Sequence, residues 1–367
     1  MPGLVSLQLY LLRQLGLSFA FALGGTLFTV FPILTVSAIH KLSGVGMSAV
    51  VGYLPLMGMD VAPFLVPLAF LLALVACFGR LASDNEWTAM RMAGVHPLRV
   101  LTVPLIVGVA FSLAAYVLLG EVRPRWKYEQ DGYRIEAVKK AFRGLSPGRT
   151  ELHFGEFYLN AAFREGNRFY EVVIEIPRGE DKDRLALLAD EAAFQFENGA
   201  PEADGADDAL VIDFVNVRSV KNDEFISNEH PRFRLPLDRL IRPSSRSQYK
   251  AKFKTSARLR EEVSSGELGP EEQRLYTYEI HRRYALACSF LVFTLLGVPT
   301  GLWRKSSTQL GALASAVGFC FLYFVIVIRF GKGAAYSGTL HPVIAAWLAN
   351  GLGLLGGIAF VRKVLWR

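Results

Sequence analysis

The charged residues best suited to chemistry are basic and lie beside long apolar runs. Lys41 follows the first run, Arg123 and Arg125 follow the third, and Arg282 and Arg283 precede the fourth. Arginine holds a phosphate through two parallel hydrogen bonds. At a membrane surface each such residue contributes about 1 kcal/mol toward anionic head groups. We therefore predict that these five residues bind lipid, whereas most other basic residues nearby fit an ordinary solvated helix face.

A short polar segment, residues 79–97, lies between the second and third apolar runs. Ser83 followed three residues later by Glu86 is a capping-box pattern, which predicts a helix start. Gly94 and Pro97 are typical stop signals. The sequence therefore predicts a short helix over about residues 83–94, with both of its ends close to membrane spans.

The same short helix is a candidate docking site for a partner protein. Trp87, Met90 and Arg91 share one face, because positions three and four apart are neighbours on a helix. An aromatic side chain flanked by charges is common at protein interfaces. We therefore predict docking through Asp84, Glu86, Trp87, Met90 and Arg91, although capping alone would explain Glu86.

Asp60 is an acidic residue well inside an apolar run. An ionisable residue within a membrane helix is a functional candidate by default. The alternative is that Asp60 caps the outer end of the second apolar helix, with Pro63 in its first turn. The sequence leaves both interpretations open.

Motifs of enzymes and nucleotide-binding proteins are missing or out of context. No Gly-x-x-x-x-Gly-Lys-Ser/Thr phosphate loop occurs, so ATP binding of that kind is not expected. Gly351, Gly353 and Gly356 lie inside an apolar run without a preceding strand, which favours close helix packing over dinucleotide binding. The four-residue pairs Gly353/Gly357 and Gly297/Gly301 are predicted to pack in the same way. Ser146 lacks the strand–turn–helix context of a nucleophile elbow. The six histidines show no metal-ligand spacing. We expect no catalytic residue, cofactor or metal in this chain.

Composition and hydropathy indicate an integral membrane protein. Hydrophobic residues make up 52% of the 367 residues, and they gather into long blocks. About six spans are predicted, three before and three after a long polar insert, each near the ~17–25 residues that a bilayer requires. The approximate spans are 15–39, 53–78, 98–119, 284–302, 309–328 and 340–361, and an interfacial helix is expected before the first.

The polar insert is predicted to be an all-β domain. Residues 151–159, 169–176, 185–197 and 210–217 are rich in β-formers and are separated by turn-rich stretches. We therefore divide the chain into residues 1–120 with three spans and the short helix, residues 121–275 with the β domain and its linkers, and residues 276–367 with three more spans.

The short loops predict the orientation. Nine basic residues fall on the side of the N-terminus, against Lys41, Arg329 and Lys332 on the other. The positive-inside rule then assigns both termini and the short helix to the cytoplasm, and the β domain to the opposite side. The net charge of +7 favours anionic partners, which for a membrane protein are lipid head groups rather than nucleic acid.

Several motifs resemble a known family. They are Leu54-Pro55, Pro67, Phe78-Gly79-Arg80-Leu81, Asp84-Asn85-Glu86 with the segment to Gly94, Pro124, Glu279-Ile280-His281-Arg282-Arg283 and Pro342. Together they resemble the LptF/LptG (YjgP/YjgQ) family of lipopolysaccharide-export permeases over essentially the whole chain. The segments 243–248 and 202–208 are departures from the pattern.

The resemblance implies a six-span permease half of the inner membrane that carries a periplasmic β-jellyroll. Two such halves, identical or different, would form a cavity for lipopolysaccharide, which passes to periplasmic jellyroll bridge proteins. A cytoplasmic ABC ATPase dimer would bind the ATP and grip the short helix, the coupling helix of the family, at Glu86. The resemblance implies no catalysis and no cofactor in the chain itself.

Two other functions are weighed against transport. A sensory or mechanotransmitting membrane protein would bind a ligand in its exported β domain and signal through the same short helix. It would need no ATPase and would hold no glycolipid. A membrane-anchored hydrolase built on Ser146 would require that serine for a measurable activity.

Overall fold

The computed structural model describes residues 2–42, 47–143, 150–154, 157–177, 184–197, 209–219, 225–227, 231–236, 251–303 and 309–365. Within them, six helices are long and apolar enough to cross a membrane, and an antiparallel sheet is inserted between the third and the fourth. The predicted class, a membrane α-helical protein with a 3+3 arrangement and a β insert, is confirmed.

The helices are α1 Pro2–Lys41, α2 Met47–Ser83, α3 Glu86–Met92, α4 Pro97–Val117, α5 Arg123–Arg143, α6 Ser256–Ser265, α7 Pro270–Trp303, α8 Gln309–Val325, α9 Lys332–Tyr336 and α10 Pro342–Leu365. Helix α1 is continuous, so the expected separate interfacial helix does not form. Helix α2 begins at Met47 rather than near residue 53, because Met47 to Gly52 carry no helix-breaking proline or polar cluster.

Two π-helical turns interrupt the membrane helices. Leu118–Val122 joins α4 to α5, and Ile326–Gly331 joins α8 to α9. Helix α5 is a departure from expectation, since an all-β region was predicted from residue 121. The helix was not predicted because its residues are mostly polar, and it follows the third span through the π-helical turn Leu118–Val122. Segments of π-helix occur frequently at functional sites.

One compact unit comprises Met1–Pro32, Gly58–Lys127 and Lys250–Arg367. Its helices approach closely at glycines. A Cβ atom on Gly301 would lie 2.8 Å from Phe78 Cβ and 2.9 Å from Val75 O, and one on Gly297 would lie 2.9 Å from Leu74 Cβ. These contacts agree with the packing predicted for Gly297 and Gly301, since small residues let membrane helices pack backbone to backbone. The prediction also holds for Gly353, which packs against Val292, but not for Gly351 and Gly356, which have no neighbouring atom of the described residues within 4 Å of a Cβ.

The second compact unit comprises Ile33–Met57 and Tyr128–Tyr249 and contains the sheet. The strands are β1 Thr150–Phe154, β2 Phe157–Glu165, β3 Arg168–Pro177, β4 Arg184–Glu197, β5 Ala209–Ser219, β6 Phe225–Ser227 and β7 Arg232–Pro236. Neighbours in sequence pair antiparallel from β1 to β6, and β7 pairs with β5 beside β6. Residues 155–156, between β1 and β2, lie outside the described residues, whereas a single strand was predicted over 151–159.

One face of the sheet forms a core. Leu159 pairs with Ile174, and Ile174 pairs with Leu187, so these three buried side chains lie in one row. Residues two apart in a strand share a face, which explains why Val172 and Ala189 are buried with them. Ile135 of α5 packs against this core.

Candidate functional site

The short helix α3 forms as expected, but its start differs from the prediction. Helix α2 extends to Ser83, whose hydroxyl donates to Arg80 O at 3.0 Å and lies 3.1 Å from Asp84 Oδ1. The capping box is therefore wrong, because a residue inside the last turn of one helix cannot cap the next. The chain turns instead at Asn85, which has a left-handed φ of 59°.

The end of α3 follows the predicted stop signal. Gly94 has φ of 77°, and its N–H donates to Arg91 O at 3.0 Å. The N–H of Val95 donates to Met90 O at 3.0 Å. This pair of bonds is the Schellman arrangement, in which glycine provides the left-handed residue that closes a helix.

Trp87 is buried, with 8% of its surface exposed. It belongs to one apolar cluster with Leu11 and Leu15 of α1, Leu101 of α4 and Leu365 of α10. The expectation of an exposed aromatic residue at the docking surface is therefore wrong. The apolar face of α3 covers the helix ends beneath it, as amphipathic helices do.

Several residues in α3 or just before it are accessible. Asp84 and Arg91 are exposed, and Met90 packs in part against the cluster around Trp87. Met92, which sequence reasoning missed, is 80% exposed. It lies on the face opposite Trp87 and could have been recognised as the apolar residue that the helical spacing directs away from the core.

The carboxylate of Glu86 binds within the chain. The Tyr10 hydroxyl donates to Glu86, with its oxygen 2.8 Å from Oε2 and 3.0 Å from Oε1. Gln14 Nε2 donates to the Tyr10 hydroxyl at 3.3 Å. No short-range pattern predicts this contact, since Tyr10 in α1 lies 76 residues from Glu86.

A second group of charges surrounds Glu279 of α7. Glu279 is 8% exposed, and its carboxylate accepts from Arg282 Nη2 at 2.7 Å and from Arg283 Nε at 3.3 Å. Arg283 is 2% exposed and also donates to Ala251 O at 2.9 Å and Lys254 O at 2.9 Å. Arg283 therefore joins α7 to the segment before α6, with its donors occupied by protein atoms.

Arg123 belongs to the same group of charges, but its Nε differs from the Arg282 and Arg283 donors in having no acceptor within the described part of the chain. Its Nε atom is buried and has no hydrogen-bond partner among the described residues. The charges of Arg282, Glu279 and Asp60 all act on Arg123. Arg125, two residues on, is exposed.

Asp60 pairs with Lys127 of α5 at 2.5 Å, and both side chains are about one quarter exposed, at 24% and 22%. Because α2 begins at Met47, Asp60 lies in the helix interior, and the interpretation of Asp60 as a helix cap is wrong. The acid neutralises a lysine beside Arg123.

Lys252 extends this basic group and was missed as a site residue. Desolvation lowers the pKa of Lys252, Glu279 raises it, and the positive charges of Lys332, Lys127 and Arg282 lower it further. Lys332, Lys127 and Arg282 therefore lie close enough for their charges to affect Lys252. We call Arg123, Lys127, Lys252, Arg282 and Lys332, with the acids Asp60 and Glu279, the charge cluster.

Other residues singled out from the sequence lie in the second compact unit or outside the described residues. Lys41 ends α1 and belongs to the second compact unit. Ser146 and the segments 202–208 and 243–248 lie outside the described residues.

The decisive comparison is with protein families. A model of the lipopolysaccharide export system permease LptF/LptG matches residues 9–363, from α1 to α10. The chain belongs to this family. No match was found among curated proteins. LptF/LptG membership implies an ABC transporter with a partner permease and lipopolysaccharide as substrate, and the subunits of this family are generally non-catalytic.

Proposed function

We propose that this LptF/LptG permease extracts lipopolysaccharide, or a similar anionic glycolipid, from the outer leaflet of the inner membrane and passes it to a periplasmic bridge. A separate ATPase dimer supplies the energy. The observation that carries the proposal is the family match over residues 9–363. The match favours transport over the sensory interpretation, because it covers the membrane helices as well as the insert.

The proposed orientation follows the positive-inside rule, with both termini and α3 in the cytoplasm and the sheet in the periplasm. About 35 Å of helix separates Asp60 from Ser83 in α2, at 1.5 Å per residue. The hydrocarbon core of a bilayer is about 30 Å thick. The charge cluster and α3 are therefore assigned to opposite membrane surfaces.

We propose that the ATPase docks on the exposed residues of α3 and of the turn before it. Asp84, Arg91 and Met92 supply two charges and an apolar side chain there. Trp87 and Met90 contribute indirectly, because their packing holds α3 against α1 and α4. The ATP is bound by the partner, and this chain is assigned no cofactor.

The charge cluster is the proposed lipid-binding site. Arg123 has a buried Nε without a partner in the described structure, which suits a phosphate oxygen. Arg282 and Lys127 already pair with carboxylates, so a phosphate would compete with Glu279 and Asp60 for them. Arg283 is assigned to holding Glu279 in place. Arg125 and Lys41 remain proposed contacts at the membrane surface.

A second permease of the family is the proposed partner within the membrane, either a copy of this chain or a different one. Helix α1 exposes Phe21 at 78% and Phe28 at 84%, and α8 exposes Phe321 at 70%. Lipid or a second permease must cover such surfaces in a membrane. The cavity between two permeases would then be lined by both.

Purification of the complex in mild detergent tests the proposal. We expect mass spectrometry to identify a co-purifying ATPase, a second permease and a bound anionic glycolipid. A chain that retains neither an ATPase nor a glycolipid under conditions that preserve its fold would contradict the transport assignment. A ligand bound to the β domain, found without an ATPase or a glycolipid, would support the sensory alternative.

A further inference from the structure

Helix α1 is attached to the rest of its compact unit mainly through its first turns. In its most apolar 18-residue stretch no residue is buried. By contrast, Leu11, Leu15 and Ser18 are buried near its start. Near the other end of α1, Ala38 is buried with Val50, Tyr53 and Met57. The exposed stretch between these two packed ends moves when the first turns are displaced.

Polar contacts between side chains and neighbouring helices help to hold the start of α1. Gln8 Nε2 donates to Arg99 O of α4 at 2.9 Å, and Arg80 Nη2 of α2 donates to Ser18 Oγ at 2.7 Å. Between them, Tyr10 donates to Glu86. The two outer contacts reach α2 and α4, whereas the Tyr10–Glu86 bond reaches α3 itself.

The Tyr10–Glu86 hydrogen bond is of a strong type, and its direction is defined by a neighbouring donor. A hydroxyl that donates to a carboxylate forms a charge-assisted hydrogen bond, about twice as strong as a neutral one. Gln14 donates to the same hydroxyl, which leaves the Tyr10 proton directed at the carboxylate. Glu86 and Tyr10 are both partly shielded from water, so the bond is not lost to solvent.

We propose that Tyr10 is a positioning residue that couples α3 to α1. A displacement of α3 moves the Glu86 carboxylate, and Tyr10 transmits that displacement to α1, whose apolar surface faces lipid or the second permease. The inference rests on the proposed function, because the displacing force comes from the ATPase.

The test is Tyr10→Phe in the complete complex, reconstituted in vesicles with lipopolysaccharide as the probe. Phenylalanine keeps the ring and removes only the donor. We expect the ATPase to co-purify as with the natural chain, the thermal midpoint to stay the same, and ATP hydrolysis to stay within twofold. Lipopolysaccharide released per ATP should fall about tenfold.

Three further variants make the result specific. Tyr128→Phe is the matched control, since Tyr128 is 75% exposed, and its release per ATP should be unchanged. Glu86→Gln retains an oxygen that accepts from Tyr10 and should retain most of the coupling. The double variant Tyr10→Phe/Glu86→Gln should be no worse than Tyr10→Phe alone.

Unchanged release per ATP in Tyr10→Phe would overturn the inference. So would loss of the ATPase from that variant, which would instead assign Tyr10 to shaping the docking surface. Failure of the proposed function itself is a separate result, because the natural chain would then neither retain an ATPase nor release lipopolysaccharide.

Discussion

Asp60 of α2 and Lys127 of α5 form an ion pair of 2.5 Å beside Arg123. The pair supplies an internal anion to a basic group that we assign to phosphate binding. An incoming phosphate must displace Asp60 from Lys127, which weakens retention and favours release.

Removal of that competing anion should strengthen lipid retention. For Asp60→Asn we expect several times more glycolipid to co-purify, measured by mass spectrometry, and slower release to acceptor vesicles. Glu267→Gln changes an exposed acid of the same unit and serves as the control. If Asp60→Asn carried less lipid than the natural chain, Asp60 would be a scaffold for Lys127 rather than a competitor.

Arg123 should be the most sensitive basic residue in lipid binding. Arg123→Gln removes the side chain that has a buried Nε without a partner, and we expect about tenfold less bound glycolipid, equivalent to about 1.4 kcal/mol. Arg125→Gln should have a smaller effect because Arg125 is exposed. Equal losses in both variants would argue for a diffuse surface charge in place of a defined site.

Arg283 should be required for folding. Arg283→Met leaves the carboxylate of Glu279 with one arginine fewer and breaks the link to Ala251 and Lys254. Removal of one partner of a buried charge pair costs about 3–5 kcal/mol. We expect a clearly lower thermal midpoint in detergent, whereas Arg258→Met, which changes an arginine with 64% of its side chain exposed, should leave it unchanged.

Docking should depend on the outer face of α3. Met92→Gln replaces a side chain that is 80% exposed, so the fold should persist while ATPase co-purification falls about tenfold. Met47→Gln changes another exposed methionine, at the start of α2, and should retain the ATPase. Full retention by Met92→Gln would move the docking surface away from α3.

Sequence reasoning found what depends on local patterns. Apolar length predicted the six spans, and Gly94 predicted the end of α3 because a left-handed residue favours glycine there. Close approach at Gly297 and Gly301 followed from small residues at a four-residue spacing. Each of these features depends on residues close together in the sequence.

The errors arose where distant residues decide. Trp87 was expected outside because its neighbours are charged, but the cluster that buries it comes from α1, α4 and α10. The capping box failed because α2 continues through Ser83. Neither the Tyr10–Glu86 bond nor the Asp60–Lys127 pair leaves a signal at short range, since their partners lie 76 and 67 residues apart.

The uninterrupted course of α2 from Asp60 to Ser83 limits how the sequence of this chain can evolve. One inserted residue would rotate everything beyond it by about 100°, since an α-helix has 3.6 residues per turn. The ion pair with Lys127 and the junction with α3 would then face in incompatible directions. Insertions and deletions should therefore be excluded from this stretch of α2, even where single substitutions are tolerated.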